Sequence, residues 1–272
     1  MSTLIHWYPG HIAKARRELS EKLKLVDVVL ELVDARLPQT SRVSGSILGN
    51  KPRVVVFTKG DLAVPERTKA WIDHLRQSGE RVVTLNAQTG QGLSQLKSEL
   101  EAVADRVSEK MASRGRLPRA SRVMVAGLPN VGKSSLINKL TKRRAAPVGD
   151  KPGITRAPSW IRLGKSLELL DTPGIIPPKL EDQAIALKLA MTGGVGELAY
   201  DPTLVVPEAL QVLLAMAPRT LSGFEEPSLE AIAKARGCFK AGGQLDLERA
   251  ARTFMHDLRS GALGPLTLDP MP

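Results

Sequence analysis

Several short stretches of this chain place phosphate- and base-recognising residue types at fixed spacings. Gly127-Leu128-Pro129-Asn130-Val131-Gly132-Lys133-Ser134 fits the pattern G-x-x-x-x-G-K-[ST]. The glycines let the backbone curl until several N–H groups face one anion. The N-terminus of a following helix adds partial positive charge. Lys133 is expected to reach the outer phosphates and the Ser134 hydroxyl to ligate magnesium, with Val131 and Ser135 in the same cradle. By itself this loop specifies a nucleoside triphosphate and leaves the base open.

Two further segments complete a triphosphate site. Asp171-Thr172-Pro173-Gly174 follows an apolar run. Its carboxylate suits water-mediated magnesium binding, and the Gly174 N–H can bond the terminal phosphate. A DTPG tetrad can also be a plain turn, since Pro and Gly favour one. Pairing with the phosphate loop favours the functional reading. Thr155, in Pro152-Gly153-Ile154-Thr155-Arg156, is the expected switch threonine. Its hydroxyl and carbonyl would close over magnesium and the terminal phosphate, on a loop whose Pro and Gly allow movement.

The choice of base falls to Thr58-Lys59-Gly60-Asp61. Guanine presents a ring N–H and an amino group side by side, and the Asp61 carboxylate can accept both. Adenine has no such pair and would leave Asp61 poorly partnered. Lys59 would lay its aliphatic stem along the base. As an isolated tetrad, TKGD also suits a strand-to-helix turn. Asn86-Ala87 follows one strand later. There the Ala87 N–H would meet the guanine carbonyl oxygen.

These residues need strand ends to hold them. Val26–Val33, Arg53–Phe57 and Arg81–Leu85 read as buried strands, with helices over Pro65–Gln77 and Leu93–Val107. A basic stretch with Pro and Gly, residues 114–119, reads as a linker. Arg122–Ala126, Ser159–Leu163 and Leu167–Leu170 read as strands, and a helix opens at Gly132. Alternation of this kind predicts an α/β fold with a doubly wound, mostly parallel sheet. After Leu180 only helical patterns remain: Leu180–Met191, Pro207–Met216, Ser228–Arg236 and Leu245–Leu258. The chain is therefore divided at residue 178. A nucleotide domain spans 1–178 and a small all-α domain 179–272.

The motif order is permuted, because the guanine motifs precede the phosphate loop. Circular permutation of a doubly wound sheet is tolerated when the termini lie close together at the surface. With that order the chain resembles the YlqF/RbgA family of circularly permuted ribosome-biogenesis GTPases. The resemblance includes the opening Trp7-Tyr8-Pro9-Gly10-His11-Ile12-Ala13-Lys14-Ala15, then Asp34-Ala35-Arg36, the five nucleotide motifs and Pro178-Lys179-Leu180-Glu181-Asp182-Gln183. It implies a P-loop GTPase that binds GTP and GDP with magnesium and acts in maturation of the large ribosomal subunit. The partners it implies are a large-subunit precursor, ribosomal RNA and ribosomal proteins.

Two departures from the common GTPase pattern bear on catalysis. Ile175 and Ile176 stand after DTPG, where many GTPases carry a glutamine that orients water. The resemblance makes His11 the substitute; otherwise His11 braces the N-terminal segment. Asn130 occupies the loop position that supports a potassium ion in potassium-activated GTPases, or else caps the loop. On this reading the catalytic set is His11, Lys133, Thr155 and Gly174.

Composition fits the picture. The net charge of +11 suits a polyanionic partner, with Lys234, Arg236 and Lys240 as candidate contacts in the helical domain. Aromatic residues make up 3%, too few for extensive base stacking. One cysteine, Cys238, excludes an internal disulfide. The first ten residues show no secretory leader. A cytoplasmic monomer without membrane attachment is expected. The rival from another class is an RNA-binding assembly factor that uses GTP as a structural ligand. A second rival keeps the GTPase but assigns it to tRNA modification or membrane traffic.

Overall fold

The computed structural model describes residues 4–5, 9–43, 45–117, 119–141, 159–171, 182–224 and 226–272, with backbone alone at 9–16, 46, 159 and 171. The chain opens with helix α1 (Pro9–Leu25) and the central strand β1 (Val28–Asp34). A short α2 (Gly45–Leu48), β2 (Arg53–Thr58), α3 (Pro65–Gln77), β3 (Arg81–Thr84) and α4 (Leu93–Ala112) follow. The second half of the sheet comes from β4 (Ser121–Gly127), β5 (Ser159–Leu163) and β6 (Leu167–Asp171), with α5 (Lys133–Thr141) after β4.

The six strands lie in the order β3-β2-β1-β4-β6-β5. All pairings are parallel except that of β5 with β6. Every residue of β1 is buried, because helices cover both faces of the sheet. Val29 faces the side where Leu19 and Leu23 of α1 pack, while Val33, Val55 and Phe57 meet Trp71, Ile72 and Leu75 of α3. Leu30, Leu32, Val54 and Val56 face α4 and α5 across the sheet. The doubly wound reading is borne out.

Helix α1 was not anticipated by the sequence reading, which assigned no element before Val26. Pro9 opens the helix, where its missing N–H costs nothing and its fixed φ suits the first turn. Leu19 and Leu23, one turn apart, are buried against the sheet. Each contributes roughly 2 kcal/mol by leaving water.

The C-terminal helices are α6 (Gln183–Thr192), α7 (Pro202–Met216), α8 (Leu229–Ala235) and α9 (Leu247–Ser260). Side-chain caps set their starts: Asp182, Asp201, Ser228 and Asp246 each accept from a backbone N–H of the first turn. The sequence reading began the second of these helices at Pro207. Asp201 and Pro202 instead start it five residues earlier, and Pro207 lies inside. Packing on the buried Val205, Val206, Leu210 and Leu213 outweighs the one lost hydrogen bond.

The expected boundary at 178 lies outside the described residues. The helices share one continuous apolar core with the sheet domain. Residues 265–272 are not helical. They return along the sheet domain as a strap. Leu266 and Leu268 donate backbone hydrogen bonds to the carbonyls of Leu62 and Arg36, at 3.0 and 2.9 Å. Arg67 donates to the carbonyl of Thr267, and the Trp71 indole to that of Pro270. Asp269, buried, accepts from the Gln39 and Thr40 amides at 2.8 Å each and pairs with Lys188 of α6 at 3.3 Å.

Candidate nucleotide site

The register of the parallel strands aligns their carboxyl ends. Asp34 lies opposite Thr58, Phe57 opposite Thr84, Leu32 opposite Gly127 and Val125 opposite Asp171. Every motif that follows one of these strands therefore emerges at one edge of the sheet. Chain direction across the sheet reverses between β1 and β4, and such switch points open a crevice for ligands.

The phosphate loop leaves β4 at Gly127, whose φ is 155°. A Cβ there would meet the Leu32 carbonyl oxygen at 2.8 Å and the Val131 side chain at 3.0 Å. Glycine is thus demanded by the close crossing over β1. Asn130, with φ 56°, takes the left-handed conformation within the loop. Its side-chain amide donates to the Gly193 carbonyl at 3.0 Å, just past the end of α6. Lys133 is buried and folds back on the loop, with Nζ 2.6 Å from the Leu128 carbonyl and 3.3 Å from that of Gly127. Its ammonium is held at the centre of the cradle. Ser134 and Ser135 occupy the first turn of α5, half-buried.

The base-reading tetrad sits beside this loop. The Thr58 hydroxyl, buried, lies 2.9 Å from the Val131 carbonyl and ties β2 to the phosphate loop. Lys59 has φ 56° and, with Asn130, makes up the non-glycine residues of positive φ among those described. Strain of this kind persists where the surroundings over-determine it and collects at ligand sites. The Asp61 carboxylate is exposed and takes no partner among the described residues. The Asn86 side chain accepts from the Gln88 and Thr89 amides at 2.8 and 3.0 Å, which shapes the next loop. Gly92 closes that loop with φ +86°, and a Cβ there would strike the Thr84 carbonyl. The Ala87 N–H is left without a partner among the described residues.

Other expected site residues are placed less fully. His11 falls in the first turn of α1, and its side chain lies outside the described residues, as does that of Asp171 at the end of β6. Thr155 and Gly174 lie outside the described residues altogether. His11 is thus carried on a helix. Among the candidate RNA contacts, Lys234 and Lys240 are exposed, while Arg236 pairs with Asp257 at 2.6 Å.

Asp34 and Arg36 entered the sequence reading only as marks of resemblance. Both are buried, joined by hydrogen bonds of 2.9 and 2.8 Å. Asp34 also lies 3.2 Å from Lys59 Nζ. Burial pushes the Asp34 carboxyl up, but the charges of Arg36 and Lys59 outweigh it and hold the group well below the usual carboxylate range. A carboxylate directly after the first strand, at the edge where the other motifs gather, was the available signal.

The arrangement fits a guanine nucleotide. A backbone cradle admits no Cβ at Gly127. The Ser134 hydroxyl is uncommitted among the described residues, and Asp61 and Ala87 offer an acceptor and a donor to one base edge.

Comparison with known proteins agrees. Residues 122–204 match the family profile described as 50S ribosome-binding GTPase. Ribosome biogenesis GTPase A of Bacillus cereus is 43% identical, over 98% of this chain and 94% of that protein. Ribosome biogenesis GTPase A of Priestia megaterium is 41% identical, over 97% and 96%. Among solved structures, GNP-bound YlqF from T. maritima superposes with a TM-score of 0.71 at 27% identity, covering 94% of this chain and 97% of that one.

Proposed function

Because the chain belongs to the ribosome biogenesis GTPase A family, we propose that it hydrolyses GTP to GDP and phosphate as a switch in assembly of the large ribosomal subunit. The observation that carries this reading is the 2.9 Å bond from Thr58 to Val131, which joins a guanine-type tetrad to a phosphate loop at one sheet edge. The GTP state engages a precursor particle and hydrolysis accompanies release.

The residues divide the work. Asp61 and the Ala87 N–H read the base edge, and Lys59 covers its face. The curled backbone around Gly127 and Gly132, with Val131, Lys133 and Ser135, binds the phosphates. Lys133 gives up the Leu128 and Gly127 carbonyls to phosphate oxygens, a stronger charge-assisted pairing. Ser134, Thr155 and Asp171 would hold magnesium, which supplies charge to the transferring phosphoryl group. Gly174 donates to the terminal phosphate, and His11 orients the attacking water. Asn130 would support a potassium ion, which adds positive charge at the site.

The particle is met through ribosomal RNA and ribosomal proteins, with the exposed Lys234 and Lys240 contributing phosphate contacts. The protein works as a cytoplasmic monomer. Among the described residues no helix is long and apolar enough to cross a membrane.

Co-sedimentation with purified large and small subunits, in GTP-analogue and GDP states and over a salt series, tests this. Large-subunit binding favoured by the analogue and weakened by salt is expected. Each phosphate contact removed should flatten the salt slope by about one unit. Equal binding to both subunits in both nucleotide states would overturn the reading.

A further inference from the structure

Arg36 heads the fully buried side chains by volume among the described residues. Its guanidinium does more than pair with Asp34. Nη2 also donates to the Thr192 carbonyl at 2.8 Å, and Nη1 to the Arg259 carbonyl at 3.3 Å. Thr192 ends α6 and Arg259 lies in the last turn of α9. Carbonyls at helix ends lack partners within the helix and carry the negative end of its dipole. One side chain therefore satisfies a carboxylate of the sheet domain and two helix ends of the helical domain.

Burying a guanidinium is costly, and apolar residues of similar volume often pack as well or better. Packing alone does not explain a charge here. What the charge does is visible on the other side of Asp34, where the same carboxylate holds Lys59 Nζ at 3.2 Å. A continuous series of contacts runs from two helix ends through Arg36 and Asp34 to the lysine of TKGD. The contact is reinforced nearby. A Cβ on Gly261, which caps α9 with φ +84°, would meet Leu62 Cδ2 at 2.7 Å, beside the tetrad.

We propose that Arg36 is a positioning residue for guanine binding, and that it makes the placement of Lys59 depend on the seating of α6 and α9 against the sheet. This rests on the reading of Lys59 and Asp61 as base-reading residues. When the helices are seated, Arg36 holds the Asp34 carboxylate in place, and that carboxylate in turn anchors Lys59 Nζ at 3.2 Å, which sets the lysine stem along the base. When they withdraw, Arg36 loses two acceptors and turns toward water. The Asp34 carboxylate then loses the partner that fixes it, and Lys59 loses the anchor that sets its stem along the base. Binding linkage is reciprocal, so bound guanine nucleotide in turn favours the seated helices. A particle that pulls the helical domain away would loosen the nucleotide without touching it.

The test uses the full-length chain and titrates fluorescent GDP and fluorescent ADP against native protein, Arg36→Gln, Arg36→Lys and Gly261→Ala. Melting curves serve as the check on folding. Gly261→Ala leaves Asp34, Arg36 and Lys59 intact, strains the positive-φ cap of α9 and presses on Leu62 Cδ2. GDP affinity should fall roughly tenfold in Arg36→Gln and in Gly261→Ala, the scale of one charged hydrogen bond, with ADP affinity nearly unchanged. Arg36→Lys should not restore it, since an ammonium lacks the planar fork that reaches all three partners. Equal loss of GDP and ADP binding, or an unchanged guanine preference in Gly261→Ala with α9 displaced by hydrogen exchange, overturns the proposal. Should Arg36→Gln fail to fold, Gly261→Ala decides alone. A native protein that binds GDP and ADP alike refutes the base-reading residues themselves, and the proposal with them.

Discussion

The amide of Asn130, in the phosphate loop, donates to the carbonyl of Gly193, just past the end of α6, at 3.0 Å. The loop and the end of α6 thus share a hydrogen bond at a residue that is itself held at φ 56°. Asn130→Ala should lower stability by about 1–2 kcal/mol, from the lost bond and from strain that asparagine tolerates better than alanine. Asn130→Gly should recover the strain part alone. Urea unfolding of the three proteins measures both. The same variants should lose stimulation of turnover by potassium over sodium, and retention of that stimulation would remove Asn130 from any cation site.

Asp61 stands exposed with an uncommitted carboxylate beside the phosphate loop. Asp61→Asn replaces one acceptor with a donor. Preference should move from guanine to xanthine nucleotides, whose base edge offers a carbonyl where guanine has its amino group. Competition titration of GDP against xanthosine diphosphate reads the shift. A variant that keeps the native order of affinities would exclude Asp61 from base contact.

Lys133 already lies at the centre of the cradle, bonded to the Leu128 carbonyl at 2.6 Å. Lys133→Ala removes the charge that would transfer to the phosphates, and hydrolysis should be lost. Ser134→Ala should do the same through magnesium, with the deficit deepest at low magnesium. Phosphate release at saturating GTP checks both, and native turnover in either variant would place the chemistry elsewhere.

His11 lies in the first turn of α1. Ile175 and Ile176 offer the attacking water no hydrogen bond. His11→Ala should keep GTP affinity and slow particle-stimulated turnover by roughly 10²-fold, the usual scale for a positioned proton acceptor. Single-turnover hydrolysis on ribosomal particles is the measurement, and an unchanged rate makes His11 a structural residue.

Asp34 ties acid stability to the site. In the unfolded chain its carboxyl titrates near the ordinary value of 3.8, and in the folded protein well below it. A depressed folded value means that the unfolded chain binds the proton first. The stabilisation is therefore full above about pH 5 and is lost as pH falls through 4 and below. Urea midpoints measured across that range should drop for the native chain and drop less for Asp34→Asn, even though the variant starts lower. Parallel curves would mean that other carboxylates carry the acid sensitivity.

Much of this was legible beforehand because the signals were local. Strands such as Arg53–Phe57 are continuous β-branched runs, and the structure shifts their ends by only one or two residues. The permuted motif order could be read directly, since TKGD, Asn86-Ala87, the phosphate loop and DTPG each sit after their own strand. What escaped depends on partners far away in the chain. Helix α1 begins at Pro9-Gly10, which by itself reads as a turn, and only burial of Leu19 and Leu23 reveals it. The strap around Asp269 has no periodic pattern, because its hydrogen bonds go to Gln39 and Thr40. Arg36 likewise shows its role only when the ends of α6 and α9 are brought to it.

The place of β1 in the sheet has a kinetic consequence. This strand is synthesised first among the six, yet it sits centrally, and its partner in β4 comes far later, with Val28 beside Val123. The β1-β2-β3 half can assemble through short crossovers, whereas closing the sheet at β1 demands a long loop and so a slow step. Until β4 arrives, a mostly apolar strand presents an open edge, the kind of surface that pairs with strangers. A nascent chain of this protein should therefore be most prone to aggregate while that edge waits, and most dependent on chaperones before residue 121 has emerged.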